Sequence, residues 1–345
     1  MFRTLAAVFV WVTLATTILT AQTAAPAKQP ASAAAIEPPA QAPPQSLSKQ
    51  TPTSEDWTTI YLAQSGLRLN ATGGLTLSKA DVQGCTREIE RLEWRLNDPI
   101  DLYIVRPRGK QKLPVVLFLY NYNVEAATAF QQDRWCDVAT RHGFAVAGFD
   151  SALSWERIRS PRPMKQWFVS ELEEALASST HDVQMVLNYM ETRGDLDMGH
   201  VGMLGQGSGG AIAILAAAAD PRIRALDLMD PWGDWPDWLK ASKQIPEQER
   251  PDYLKPEFLQ RVSGLEPLVY LPQLKGRALL IQQVLSDTIT PQAARDKIAS
   301  AAPNPDKIMR YPDIVTEGEA LGSNGIAQWF GEQLNSENAS DRSAR

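Results

Sequence analysis

Apolar residues in this chain fall into short blocks separated by polar, helix-patterned stretches, and the two kinds of segment alternate. Ile100 to Val105 reads as a strand ended by Arg106-Pro107, and Pro114 to Tyr120 is an unbroken apolar run. Such a run is the pattern of a strand buried on both faces of a sheet. Phe130 to His142 has helical spacing with Gly143 as its stop, and Ala145 to Asp150 reads as the next strand. Glu171 to Thr192 predicts a long helix, with Leu172, Leu176, Val183, Val186, Leu187 and Met190 on its apolar side. Val201 to Leu204 reads as a buried strand, Ala211 to Ala219 as a small-residue helix, and Arg224 to Met229 and Ala278 to Ile281 as strands. Pro291 to Ala301 is helical, Lys307 to Tyr311 a short strand, and Ile326 to Leu334 a last helix. This order predicts an α/β fold, a mainly parallel, doubly wound sheet with helices on both faces.

The ends do not share the pattern. Arg3 precedes an apolar run from Leu5 to Leu19, followed by small residues to Ala25. The run is about 15 residues, short of the ~20 that span a bilayer, so residues 1–24 read as a signal peptide and the mature chain is expected without a membrane span. Residues 25–55 are rich in Ala, Pro, Gln, Ser and Thr and read as a disordered linker. The folded domain is expected over 56–335 and a polar tail over 336–345. The 345 residues are 44% hydrophobic and 21% charged, an ordinary globular composition. The net charge of −6 gives no electrostatic case for nucleic acid. The two cysteines, Cys85 and Cys136, either pair in an oxidising compartment or stand as separate buried thiols, and sequence does not decide between these.

The segment with the most chemical content is Gly205-Gln206-Gly207-Ser208-Gly209-Gly210, between the buried strand and the small-residue helix. A strand turning sharply into a helix with Gly-x-nucleophile-x-Gly is the elbow that presents an attacking side chain above a sheet. Aligned on Gly205 and Gly209, the nucleophile position holds Gly207, which has no side chain to attack with. Shifting by one makes Ser208 the nucleophile but puts Gln206 where the turn needs glycine. The same residues also satisfy Gly-x-Gly-x-x-Gly at Gly205, Gly207 and Gly210, with Asp230 twenty residues on, which is a dinucleotide fingerprint. The segment after Asp230 is not another βα crossover, which weighs against that fingerprint.

In order along the chain, these landmarks resemble the α/β-hydrolase superfamily, and most of all its dienelactone-hydrolase and exported-esterase branch. The resemblance covers roughly residues 98 to 334 and rests on five segments: Arg106-Pro107 with Leu113 to Leu117, Arg141 to Val146, Asp195 to Val201 with the elbow, Asp220 to Ala225, and Asp287 to Pro291. It implies a catalytic acid at Asp287, an oxyanion loop after Leu119, a lid entering at about 231–272, and esters or related small molecules as ligands. The departures concern the chemistry. The loop after Leu119 reads Tyr120-Asn121-Tyr122-Asn123 where relatives carry His-Gly, and the loop from Tyr311 to Glu319 contains no histidine.

The three histidines are badly placed for a triad. His142 ends a helix at the N-terminal edge of the sheet, whereas active groups of open α/β sheets sit at the carboxyl ends. His200 begins the elbow strand, roughly 20 Å from the turn at ~3.3 Å per residue. His181 lies in the long helix with nothing to aim it at the elbow. A serine hydroxyl without a base is a poor attacker, so the leading expectation is an exported hydrolase-fold protein with a degenerate triad that binds a small-molecule ligand or a partner. An active esterase using Ser208 and Asp287, or a dinucleotide binder, stand as alternatives. The leading reading calls for no cofactor, and no His/Cys/Asp group has metal-ligand spacing. Tyr120, Asn121, Gln206, Gly207, Trp232 and Trp235 are the expected ligand-pocket residues. Trp232, Trp235 and Trp238 alternate with Asp230, Asp234 and Asp237, and read either as a packed lid core or as an aromatic ligand wall.

Overall fold

The computed structural model describes residues 54–71, 73–82, 84–109, 112–121, 134–153, 157, 164–303, 307–322 and 325–334. The signal peptide, nearly all of the linker and the tail expected from sequence lie outside these residues, as does the first part of the helix expected from Phe130. The described residues form one nine-stranded sheet in the order β1-β2-β3-β5-β4-β6-β7-β8-β9. The strands are β1 (Gly74–Val82), β2 (Cys85–Leu92), β3 (Ile100–Pro107), β4 (Leu113–Leu119), β5 (Ala145–Gly148), β6 (Leu196–Gln206), β7 (Ile223–Met229), β8 (Ala278–Val284) and β9 (Lys307–Tyr311). From β5 to β9 the pairing is parallel, and β1, β2 and β3 are added antiparallel at one edge.

The β1–β2 hairpin is absent from the sequence expectation. Its strands are charge-rich, and β1 is exposed along most of its length, so neither carries the apolar block that marks the central strands. Cross-strand pairing, including a Lys79–Glu88 ion pair at 2.7 Å, holds the edge instead.

The parallel strands connect through α1 (Arg134–His142), α2 (Met164–Glu191), α3 (Ser208–Ala219) and α8 (Gln292–Ala301), and α9 (Ile314–Gly322) and α10 (Gly325–Leu334) follow β9. Alternation along β4 splits the core. Val115, Leu117 and Leu119 face the α2–α3 side, and Val116 and Phe118 face the α1–α10 side. Each of these buried side chains contributes roughly 2 kcal/mol of burial free energy. The central helix α3 is built from small residues because it is buried on every side, and Ser208 to Ala217 are all inaccessible.

Cys85 and Cys136 form a disulfide with Cα atoms 5.7 Å apart, which settles the alternative left open by sequence. It ties β2 to α1 across a separation of 51 residues, a loop closure worth ~4 kcal/mol in the chain-entropy picture. Between β7 and β8 the chain forms four short helices, α4 (Trp235–Ala241), α5 (Arg250–Tyr253), α6 (Pro256–Ser263) and α7 (Pro267–Tyr270). Each carries a proline in its first turn, so the prolines of this insertion start helices rather than break one. Trp232, Trp235 and Trp238 are buried, with the rings of Trp232 and Trp238 4.4 Å apart.

A knot of charge pins the start of the domain to α2. Asp182 is fully buried, accepts hydrogen bonds from Arg95, from Arg157 (2.7 Å) and from Trp94 (3.0 Å), and sits beside His181, which contacts Glu55 at 2.5 Å. Among the described residues no helix is long and apolar enough to cross a membrane.

Candidate functional site

Strand β6 ends at Gln206 and α3 begins at Ser208, so Gly207 alone makes the turn, with φ 55° and ψ −113°. This left-handed conformation is strained for any residue with a Cβ. The turn is fixed from both sides: Gly207 N–H donates to Met229 O (2.8 Å) and its carbonyl accepts from Trp232 N–H (3.0 Å). The neighbouring glycines serve close packing. A Cβ on Gly209 would lie 2.3 Å from Leu119 O, and one on Gly210 would lie 2.7 Å from Pro231 Cβ. Elbow packing therefore accounts for the Gly-x-Gly-x-x-Gly spacing without a pyrophosphate.

Asn121, two residues past the end of β4, decides what the turn can do. A Cβ on Gly207 would fall 2.2 Å from Asn121 Oδ1, so the amide already fills the space of an elbow side chain. The same oxygen accepts from Ser208 N–H at 3.1 Å and lies 3.4 Å from Ser208 Oγ. The N–H after the nucleophile position is the one that acyl-transfer sites aim at a developing oxyanion. Here an internal amide oxygen holds it. Ser208 is fully buried.

A cavity of about 360 Å³ opens above the turn. It brings together four of the residues expected from sequence, Asn121, Gln206, Gly207 and Trp232, along with Asp287. Tyr120 and Trp235 do not line it. Tyr120 packs against the core on the α1 side, with burial pushing its phenol well above the ordinary range. Trp235 is buried in the lid and donates from Nε1 to Leu265 O at 3.0 Å.

Asp287 is absorbed by its own loop, its two oxygens accepting from Ile289 N–H (2.9 Å) and Thr290 N–H (2.8 Å). The buried Arg295 braces that loop by donating to the carbonyls of Asp287, Thr290 and Leu285. None of the chain's three histidines reaches the cavity. His181 bonds Glu55 and Thr59 O, His200 bonds Asp197 at 2.7 Å, and His142 packs beside Phe144 and Gly331.

Two other cavity residues, Asp230 and Glu317, carry the unusual electrostatics. Asp230 directly follows β7, has φ 41°, and accepts from Val284 N–H at 3.0 Å. From sequence it reads either as a ribose acid or, with Asp234 and Asp237, as one of the aspartates alternating with the tryptophans. Glu317 comes from α9, in the segment read as a histidine-free loop. The segment is helical because Asp313 caps it, its Oδ1 accepting from Thr316 N–H at 2.8 Å. An aspartate just past Tyr311-Pro312 was the signal for that helix. Glu317 is 2% exposed, and its Oε1 has no hydrogen-bond partner. Burial pushes the Glu317 carboxyl up to about 7, helped by the Asp287 charge. Burial likewise raises Asp230 to about 7, with Asp287 and Glu317 adding repulsion against the pull of the Val284 N–H and Arg295. Beneath them Asp227 is also raised by burial to about 7 while accepting both contacts of the Gln282 amide at 2.9 Å.

No family model matches the chain, and no curated protein matches it by sequence. Solved structures do match. An acetyl xylan esterase from Paenibacillus sp. R4 superposes with a TM-score of 0.61 at 16% identity, covering 84% of this chain and 97% of that one. An S-formylglutathione hydrolase from Agrobacterium tumefaciens gives 0.58 at 15% identity, covering 75% and 99%. Acetyl xylan esterase 1 from Thermoanaerobacterium sp. gives 0.56 at 17% identity, covering 76% and 88%. The fold is that of the α/β hydrolases. At these identities the likeness is one of architecture alone.

Proposed function

We propose that this protein is an exported α/β-hydrolase-fold protein that has lost the Ser-His-Asp triad and uses the elbow cavity to bind a small molecule without hydrolysing it. One observation carries the reading: the Asn121 amide stands where the elbow side chain would project and holds the Ser208 N–H. A substrate carbonyl would have to displace it before polarisation could begin. Three further features agree. Ser208 Oγ is buried beside Asn121, none of the three histidines lines the cavity, and Asp287 holds its own loop. The Cys85–Cys136 disulfide supports an oxidising compartment and so the export reading.

The test is turnover of p-nitrophenyl acetate by the mature protein. Hydrolysis should match that of the buffer, and it should stay there in a Gly207→Ser, Asn121→Gly variant, because supplying a hydroxyl supplies no base. Ester turnover in the natural chain that disappears in Ser208→Ala would replace this reading with an active esterase.

A further inference from the structure

The cavity's chemistry narrows what it binds, provided the non-hydrolytic reading above holds. A buried carboxylate oxygen without a hydrogen-bond donor is costly, and Glu317 Oε1 is such an atom, on a residue 2% exposed that lines the cavity. Asp230 and Asp287 line the same space, while no lysine, arginine or histidine does so among the described residues. Arg295, the arginine whose charge acts on Asp230, is spent on the carbonyls of Asp287, Thr290 and Leu285. Trp232, Val284 and Ile289 give the cavity an apolar side. The missing component is one positive charge that also carries N–H donors and a short apolar body.

We propose that the elbow cavity takes a protonated aliphatic primary amine, its ammonium held between Glu317 and Asp230 and its carbon chain laid against Trp232. A quaternary ammonium supplies the charge but cannot donate to Glu317. Among the described residues no group of three His, Cys, Asp or Glu side chains is arranged to hold a metal ion.

The proposal has a pH signature. The groups facing Glu317 are Asp287 from the β8–α8 loop, Asp227 from β7, Asp230 just after it, and Tyr311 from β9, with Arg295 of α8 acting on Asp230. With Asp230 and Glu317 titrating at about 7, the empty cavity is mostly protonated at pH 6 and mostly ionised at pH 8. An alkylammonium stays charged throughout, so its affinity should rise about tenfold over this range for each carboxylate it requires.

The experiment is calorimetric titration of the full mature protein with n-butylammonium chloride, n-butanol and calcium chloride at pH 6 and pH 8. The expected result is saturable butylammonium binding, at least tenfold tighter at pH 8, with no saturable binding of butanol or calcium. Glu317→Gln should weaken it at least tenfold at pH 8, and Asp230→Asn should do so as well, with thermal melts at pH 6 checking that both variants fold. Absence of saturable butylammonium binding at pH 8, equal binding by folded Glu317→Gln, or equal binding of butanol would overturn the assignment. Glu317-dependent calcium binding would overturn it in favour of a metal. A chain inert to p-nitrophenyl acetate that ignores butylammonium loses only the ligand assignment, whereas a chain that turns the ester over loses the binding reading beneath it.

Discussion

Two groups of buried carboxylates share this domain, and they have been treated oppositely. In the α2 knot every acid meets a cation. Burial pushes the Glu55 carboxyl up, but hydrogen bonds from Arg95 and His181 outweigh it and hold the group down at about 2. Arg157 bridges Asp98 and Asp182 at 2.8 and 2.7 Å. At the elbow, Asp227 and Glu317 are buried and Asp230 half-buried, none of them in an ion pair, and all rise to about 7. The cost of desolvation is common to both places. What separates them is whether the protein supplies the counter-charge itself. The knot is closed and fastens residues 54–65 to α2. The cavity has no lysine, arginine or histidine in its lining to supply that charge among the described residues.

The largest effect should come from breaking the knot. Asp182→Ala leaves Arg95 and Arg157 buried without their shared carboxylate, and should lower unfolding free energy by about 3–5 kcal/mol in urea denaturation. A loss below about 1 kcal/mol would mean that the knot is ornamental. Next is Gly207→Ser, which puts a Cβ against Asn121 Oδ1 at a left-handed φ. It should cost about 1–3 kcal/mol in thermal melts, part of it regained when Asn121→Gly is added. An unaffected melt would show that the amide does not fill the elbow.

The smallest effect is the sharpest contrast. Asp227 has a folded value near 7, above its unfolded one, so its stabilisation is complete below the unfolded value and is lost as pH rises through about 7. Stability should fall from pH 6 to pH 8, and Asp227→Asn should remove about 1 kcal/mol of that fall. Glu55 runs the other way. Its folded value is depressed to about 2, so its contribution is present above the unfolded value and disappears as pH drops toward 2. A pH 6–8 slope that survives Asp227→Asn unchanged would place the titration elsewhere.

Much of the architecture was legible because the central strands are buried on both faces and write continuous apolar runs. Pro114 to Tyr120 and Val201 to Leu204 fell where β4 and β6 stand. The β1–β2 hairpin was not legible, since β1 is exposed and β2 buries polar and charged residues such as Thr86, Glu88 and Glu90 rather than an apolar block. At the site, the glycine at the turn and the missing histidine could be read directly, because both are matters of residue identity. Asn121 could be placed in the pocket but not in the elbow, since its reach into the Gly207 space depends on how β4 and β6 are registered. Glu317 was hidden because its helix depends on one capping aspartate, and its lack of a partner is a property of packing that no local pattern encodes.

The central claim is that the elbow holds an amide where an attacking oxygen would stand. Intact-mass spectrometry after incubating the purified protein with an alkyl fluorophosphonate tests it most directly. The mass should stay unchanged. A stoichiometric phosphonate adduct mapping to Ser208 would contradict it.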